Sequence, residues 1–142
     1  MQIGVESSRA VENKRIFVVD EDEIFRAAIQ FMLHDENEAH EVASLDEALT
    51  KAKTSVPDLI VLARAIVEAK GLPILREITA AIPKVKLLIV ADSDADELAK
   101  SCVKEGAHAV ISKPLKIETV RDKVDTLLGR KTPFAIQFKV LG

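Results

Sequence analysis

The stretch Val56–Gly71, VPDLIVLARAIVEAKG, constrains this chain most. Its run Leu59–Leu62 is aliphatic at every position, so the segment has no polar face to turn to water. A strand of that kind belongs inside a parallel sheet covered on both sides. Pro57-Asp58 supplies the entering turn, and residues 63–71 read as a loop closed by Gly71. Open α/β sheets bind ligands at the carboxyl edge where such a loop lies. The residues standing there are Ala63, Arg64 and Ala65, which offer neither a nucleophile nor a metal ligand.

The other short apolar runs are IFVV at 16–19, HEVAS at 40–44, LLIVA at 87–91 and AVIS at 109–112. Helical periods alternate with them. Ile24, Ala28, Phe31 and Met32, with Phe25, Ile29 and Leu33 beside them, predict a helix to about Asp35. The acidic run Asp20-Glu21-Asp22-Glu23 suits its N-terminus. Ser44 with Glu47 makes a capping box for a helix through about Lys53. Residues 72–81 carry Ile74, Leu75 and Ile78 inward and stop at Pro83. Ser93 with Asp96 predicts a second capping box, for a helix to about Glu105 closed by Gly106. The last helix sets Ile117, Val120, Val124, Leu127 and Leu128 on one face and ends at Gly129.

Five strands alternating with five helices through short connections predict an α/β fold with a doubly wound parallel sheet. The flavodoxin-like order 2-1-3-4-5 is the expected topology. The domain then spans residues 14–129, after a lead-in at 1–13 that carries no period. In the tail at 130–142, Phe134, Ile136, Phe138 and Val140 alternate like a sixth, half-buried strand. It would pair with a sheet edge or with a second molecule, which leaves monomer and homodimer both open.

Composition narrows the function classes. The chain of 142 residues is one ordinary domain, with a net charge of -3 and both signs interspersed. Neither nucleic acid nor an anionic membrane is the expected partner. Cys102 is the lone cysteine, and residues 1–14 lack the apolar core of a signal peptide, so a cytoplasmic setting is expected.

The blocks VVDEDE at 18–23, PDLIVL at 57–62, GLPILREI at 71–78 and KEGAHAVISKP at 104–114, in this order and spacing, resemble the receiver domain of two-component response regulators. Each block is weak alone, and the resemblance covers residues 15–129. It implies phosphoryl transfer from a histidine kinase to an aspartate, with Mg²⁺ held by neighbouring acids. It assigns Asp20 and Glu21 to the metal-holding pair and Lys113 to the phosphoryl-contacting lysine. It also implies a cis peptide at Lys113-Pro114. Ala63 falls at the phosphoacceptor position, Ala91 at the hydroxyl switch position and Val110 at the aromatic switch position. A methyl group cannot attack phosphorus, ligate Mg²⁺ or hydrogen-bond a phosphoryl oxygen. One laboratory substitution would not remove all three groups, so the degeneracy reads as natural.

Several residues carry two readings. Asp20 and Glu21 can still hold Mg²⁺, or the acidic run can cap the first helix and pair with Lys113. Asp92 is a candidate substitute phosphoacceptor, or part of a helix start. Arg64 and Lys113 are candidate anion ligands, against a solvated side chain for Arg64. His34, His40 and His108 are scattered without ligand spacing, and Cys102 fits helix packing. The leading expectation is a non-enzymatic, phosphorylation-independent receiver-like module that needs no cofactor and binds a protein partner. The resemblance places its binding face on the helix at 93–105, the strand at 109–112 and the final helix. A relocated phosphoacceptor at Asp92 or Asp20 and a small-anion sensor are the alternatives.

Overall fold

The computed structural model describes residues 13–130. Five strands, β1 (Lys14–Val19), β2 (Asn37–Val42), β3 (Leu59–Ala63), β4 (Lys86–Ala91) and β5 (Ala109–Ser112), form one sheet in the order β2-β1-β3-β4-β5. Every pairing is parallel. Six helices connect or follow them: α1 (Glu23–Leu33), α2 (Leu45–Ala52), α3 (Arg64–Lys70), α4 (Ile74–Ala81), α5 (Glu97–Lys104) and α6 (Ile117–Leu127). The expected sheet order and doubly wound layering are therefore observed. The proposed lead-in before residue 13 and the proposed strand in the tail beyond 130 lie outside the described residues.

Alternation along the central strands feeds two cores. Phe17, Val19, Ile60, Leu62, Leu87 and Ile89 face α2 to α5, whereas Ile16, Val18, Leu59, Val61, Leu88 and Val90 face α1 and α6. Because β3 is buried at all five positions, it can only be an interior strand, as its aliphatic run demands.

Four local expectations are corrected. The segment 63–71 is not a loop: Arg64–Lys70 is helical, with Ile66 and Val67 inward, and Gly71 ends it at φ 95°. Only glycine enters that φ region without strain. Strand β2 runs from Asn37 to Val42 rather than from 40 to 44, because pairing with β1 begins at the polar residues Asn37 and Glu38. Helix α5 is capped by Asp96, which accepts from the Ala99 N–H, and starts at Glu97, so Ser93 lies outside it. Finally, Ile24 and Phe31 point to solvent at 83% and 67% exposure, and α1 buries Ile29 and Leu33 with Phe25 and Met32 packed beside them. The Ser44 cap forms as expected, its hydroxyl accepting from the Glu47 N–H at 3.1 Å.

Candidate functional site at the carboxyl edge of the sheet

Register brings the singled-out residues to one edge. β1 pairs with β3 through Val19 opposite Leu62, so Asp20 and Ala63 are the next residues along each chain and share a face. β4 pairs with β5 through Ala91 opposite Ser112, which puts Asp92 beside Lys113 in the same way. Ala63 is 8% exposed, Ala91 is fully buried, and Val110 is half-buried against the core facing α2 to α5.

Asp20 is buried, and its Oδ1 accepts the Asp22 N–H at 2.9 Å. Burial pushes its carboxyl above the usual range, while the Asp22 amide and the charges of Lys113 and Arg26 pull the other way. Asp22 in turn caps α1, its Oδ1 accepting from the N–H groups of Ile24 and Phe25 at 3.0 and 3.1 Å. Two members of the acidic run are thus committed to the local turn. Glu21 is exposed.

Lys113 precedes a cis bond to Pro114, as the resemblance implies. Its Nζ lies 3.5 Å from Asp92 Oδ1 and 4.0 Å from the centre of the Phe25 ring. The lysine therefore pairs with Asp92, and not with the 20–23 run. A cation over an aromatic face gains electrostatically, which fixes the ammonium above α1 as well.

Arg64, the first residue of α3, is not a solvated side chain. Its Nε lies 2.7 Å from Asp96 Oδ2 and 3.9 Å from Asp92 Oδ2, and its Nη1 donates to Glu68 at 2.9 Å. Asp96 has its side chain 4% exposed. Burial works to raise its pKa, but the N–H groups of Ala99 and Asp92 and the Arg64 guanidinium outweigh that and hold it below the usual range. Arg64, Asp92, Asp96 and Lys113 form one network that ties the β4–α5 connection to α3 on one side and to β5 on the other. Sequence reasoning placed Asp96 at the helix start and Phe25 on the first helix, but missed Glu68, the Asp96 ion pair with Arg64 and the Phe25 contact with Lys113. The four-residue spacing of Arg64 and Glu68 was the available signal, and it only has meaning once 64–70 is helical.

The Mg²⁺ implied by the resemblance does not fit the residues present. Ala63 presents a methyl group beside Asp20, where the metal and a phosphoryl group would need oxygen. Among the described residues no group of three or more His, Cys, Asp or Glu side chains is placed to hold a metal.

The remaining candidates are structural in their contacts. His108 Nδ1 accepts the Leu87 N–H at 3.0 Å, and burial followed by the Lys86 charge lowers its pKa. His40 packs edge-on to Phe17 and lies 2.7 Å from Glu38, whose pKa falls to about 2 chiefly through its bond to Arg15. Cys102 is buried in α5. Among the described residues no helix is long and apolar enough to cross a membrane.

Comparison with known proteins agrees with this geometry. The family model of the response regulator receiver domain matches residues 16–125. The DNA-binding transcriptional activator DevR/DosR of Mycobacterium tuberculosis is 26% identical over 82% of this chain and 55% of its own length. The chain thus spans about half of that relative. The receiver domain of NtrX from Brucella abortus superposes with a TM-score of 0.72 at 25% identity, covering 82% of this chain and 99% of that one. A response regulator from Thermotoga maritima has the same fold, with a TM-score of 0.75, 24% identity, and 82% and 98% coverage. With its parallel 2-1-3-4-5 sheet and a family match over most of its length, this chain belongs to the response regulator receiver domain family.

Proposed function

We propose that this receiver domain works without phosphorylation, as a non-enzymatic module that transmits a signal by contact with a protein partner. The observation that carries the reading is Ala63, which occupies the edge of β3 beside Asp20 at 8% exposure and leaves no acceptor oxygen there. Two further positions agree, since Ala91 has no hydroxyl and Val110 no ring. The contact face is α5, β5 and α6, by analogy with the family. On α5, Val103 is exposed among charged neighbours, which suits a protein contact better than a nucleic acid at a net charge of -3.

Intact mass after incubation with Mg²⁺ and acetyl phosphate tests the reading. An unchanged mass is the expected result. A phosphoryl adduct would overturn it, and the mapped residue would identify the acceptor.

A second reading, phosphoryl transfer to Asp92, is favoured by one observation. Asp92 is exposed and its Oδ1 lies 3.5 Å from Lys113 Nζ, the type of cation that steadies a phosphoryl group. An adduct on Asp92 lost in Asp92→Asn would establish it. A small-anion sensor would have to displace carboxylates from Arg64, so inorganic phosphate is expected to leave the melting temperature unmoved.

A further inference from the structure

At the amino edge of the sheet, at the opposite end of β3 from Ala63, lies a cavity of about 650 Å³. It opens between the end of α2, the connection into β3 and the connection from α4 to β4. Leu49, Ala52, Val56, Pro57, Ile82 and Pro83 give it a lining of carbon. Small-molecule sites have this character, apolar with few polar groups, at roughly 300–1,000 Å³. The five residues of β3 set it about 16 Å from the carboxyl edge, so the two sites are separate.

The walls are fixed before any ligand arrives. Asp58 donates its N–H to the Arg15 carbonyl at 2.8 Å, its own carbonyl accepts the Lys86 N–H at 3.1 Å, and its Oδ2 accepts the Arg15 N–H at 2.8 Å. On the other wall the Val85 N–H donates to the Ile82 carbonyl at 3.0 Å. Pro57 and Pro83 restrict φ in the two connections. A cavity held in this way loses little freedom when it is filled. Val56 is 57% exposed here, and an occupant would take that apolar surface out of water.

Charge selects the kind of occupant. Lys53 and Lys84 line the same cavity and are exposed, which places them at its mouth. Neither forms an ion pair among the described residues. Lys53 is the C-cap of α2, and Lys84 follows Ile82, the C-cap of α4. Each helix end offsets about half of a lysine charge, so the mouth stays positive. Asp58, the carboxylate in the lining, is already engaged by Arg15.

We propose that this cavity binds a small amphipathic organic anion, its hydrocarbon body against Leu49, Val56 and Ile82 and its carboxylate on Lys53 and Lys84. A neutral apolar molecule would leave both ammonium groups unused, and a bare inorganic anion would leave the carbon lining wet.

Amide NMR on the 142-residue chain tests this, with decanoate added below the concentration at which it forms micelles. Saturable shifts confined to residues 49–58 and 81–86 are expected. Acetate should give none, and decanol should bind about fivefold more weakly, because it lacks the two exposed ion pairs. The double variant Lys53→Gln, Lys84→Gln changes only exposed positions, so the fold should stay intact. In that variant decanoate should fall to the affinity of decanol. Equal binding of decanoate and decanol by the parent would overturn the proposal, as would shifts scattered over the whole surface or no shifts at all. Shifts at these residues that follow protein concentration without decanoate would overturn it in favour of a second copy.

Discussion

Replacing Asp96 by alanine should destabilise the carboxyl edge, and its cost can be assembled from contacts. Oδ1 accepts the Ala99 N–H at 3.3 Å and caps α5, a role worth about 1 kcal/mol. Oδ2 accepts the Asp92 N–H at 3.3 Å, and losing that acceptor costs about 1 kcal/mol more. The Arg64 guanidinium keeps Glu68 and regains water, so it adds little to the loss. The sum is about 2 kcal/mol, or a fall in melting temperature of roughly 4–8 °C for a domain of this size. Asp96→Asn keeps one amide oxygen for the cap and should lose about half as much. Urea denaturation of the three proteins gives the comparison directly. The pH dependence supplies an independent check, because the folded pKa of Asp96 lies below its unfolded value. The contribution of the carboxylate is complete above about pH 4 and lost as pH falls through the lower folded pKa. The gap between the parent and Asp96→Asn should therefore hold at neutral pH and close in acid. A loss under about 0.5 kcal/mol for Asp96→Ala would refute the reasoning, since it would rank this residue with ordinary surface positions.

Three further outcomes are expected. Ala63→Asp, which buries a carboxylate beside Asp20, should lower stability by about 1–3 kcal/mol without Mg²⁺. It should gain a Mg²⁺-dependent rise in melting temperature that the parent lacks, and thermal unfolding with and without the ion decides this. Asp20→Asn should be more stable than the parent at pH 7, because burial raises the folded pKa of Asp20 and ionising it opposes folding. That advantage should vanish below about pH 4, where Asp20 is neutral in both states, as chemical denaturation at the two pH values would reveal. His108 has a lowered folded pKa, so its contribution is present above about pH 6.5 and lost as pH falls through the folded value. His108→Gln should accordingly flatten the stability profile between pH 7 and 5.

The fold was legible because its central strands are unambiguous. Leu59–Leu62 and Leu87–Ala91 are aliphatic on both faces, and only an interior parallel strand buries both. Elements at the margins were harder. β2 has one neighbour and opens with Asn37 and Glu38, so its first half carries no apolar pattern, yet β1 pairs with it. α3 has seven residues and two buried side chains, too few for a period to emerge from ALA-ARG-ALA-type spacing around it. In α1 the sequence offers two apolar stripes, and periodicity alone cannot rank Ile24 and Phe31 against Ile29 and Leu33. Only packing against β1, β2 and α6 decides.

The site shows the same division between what order along the chain reveals and what register reveals. The place of Ala63 at the edge was readable from its position after LIVL, because strand ends define the edge. The pairing of Lys113 with Asp92 was not, since it depends on how far β4 and β5 are offset. That offset matters for the proposed mechanism. A switch needs a ligand that favours one of two arrangements, and its bias equals its differential affinity for them. Here Arg64 and Lys113 are held from opposite sides by Asp92, with Asp96 anchoring Arg64, so the β4–α5 connection is fixed by side chains of the chain itself. On the proposed reading a phosphoryl group has no second arrangement of this connection to select, and partner binding acts on a surface already formed. Breaking the network should then loosen the connection before it alters the sheet: in Asp96→Ala, amide exchange should rise at residues 92–96 while the β3 amides stay protected. Equal exchange in both proteins at 92–96 would mean that packing, and not these charges, fixes the edge.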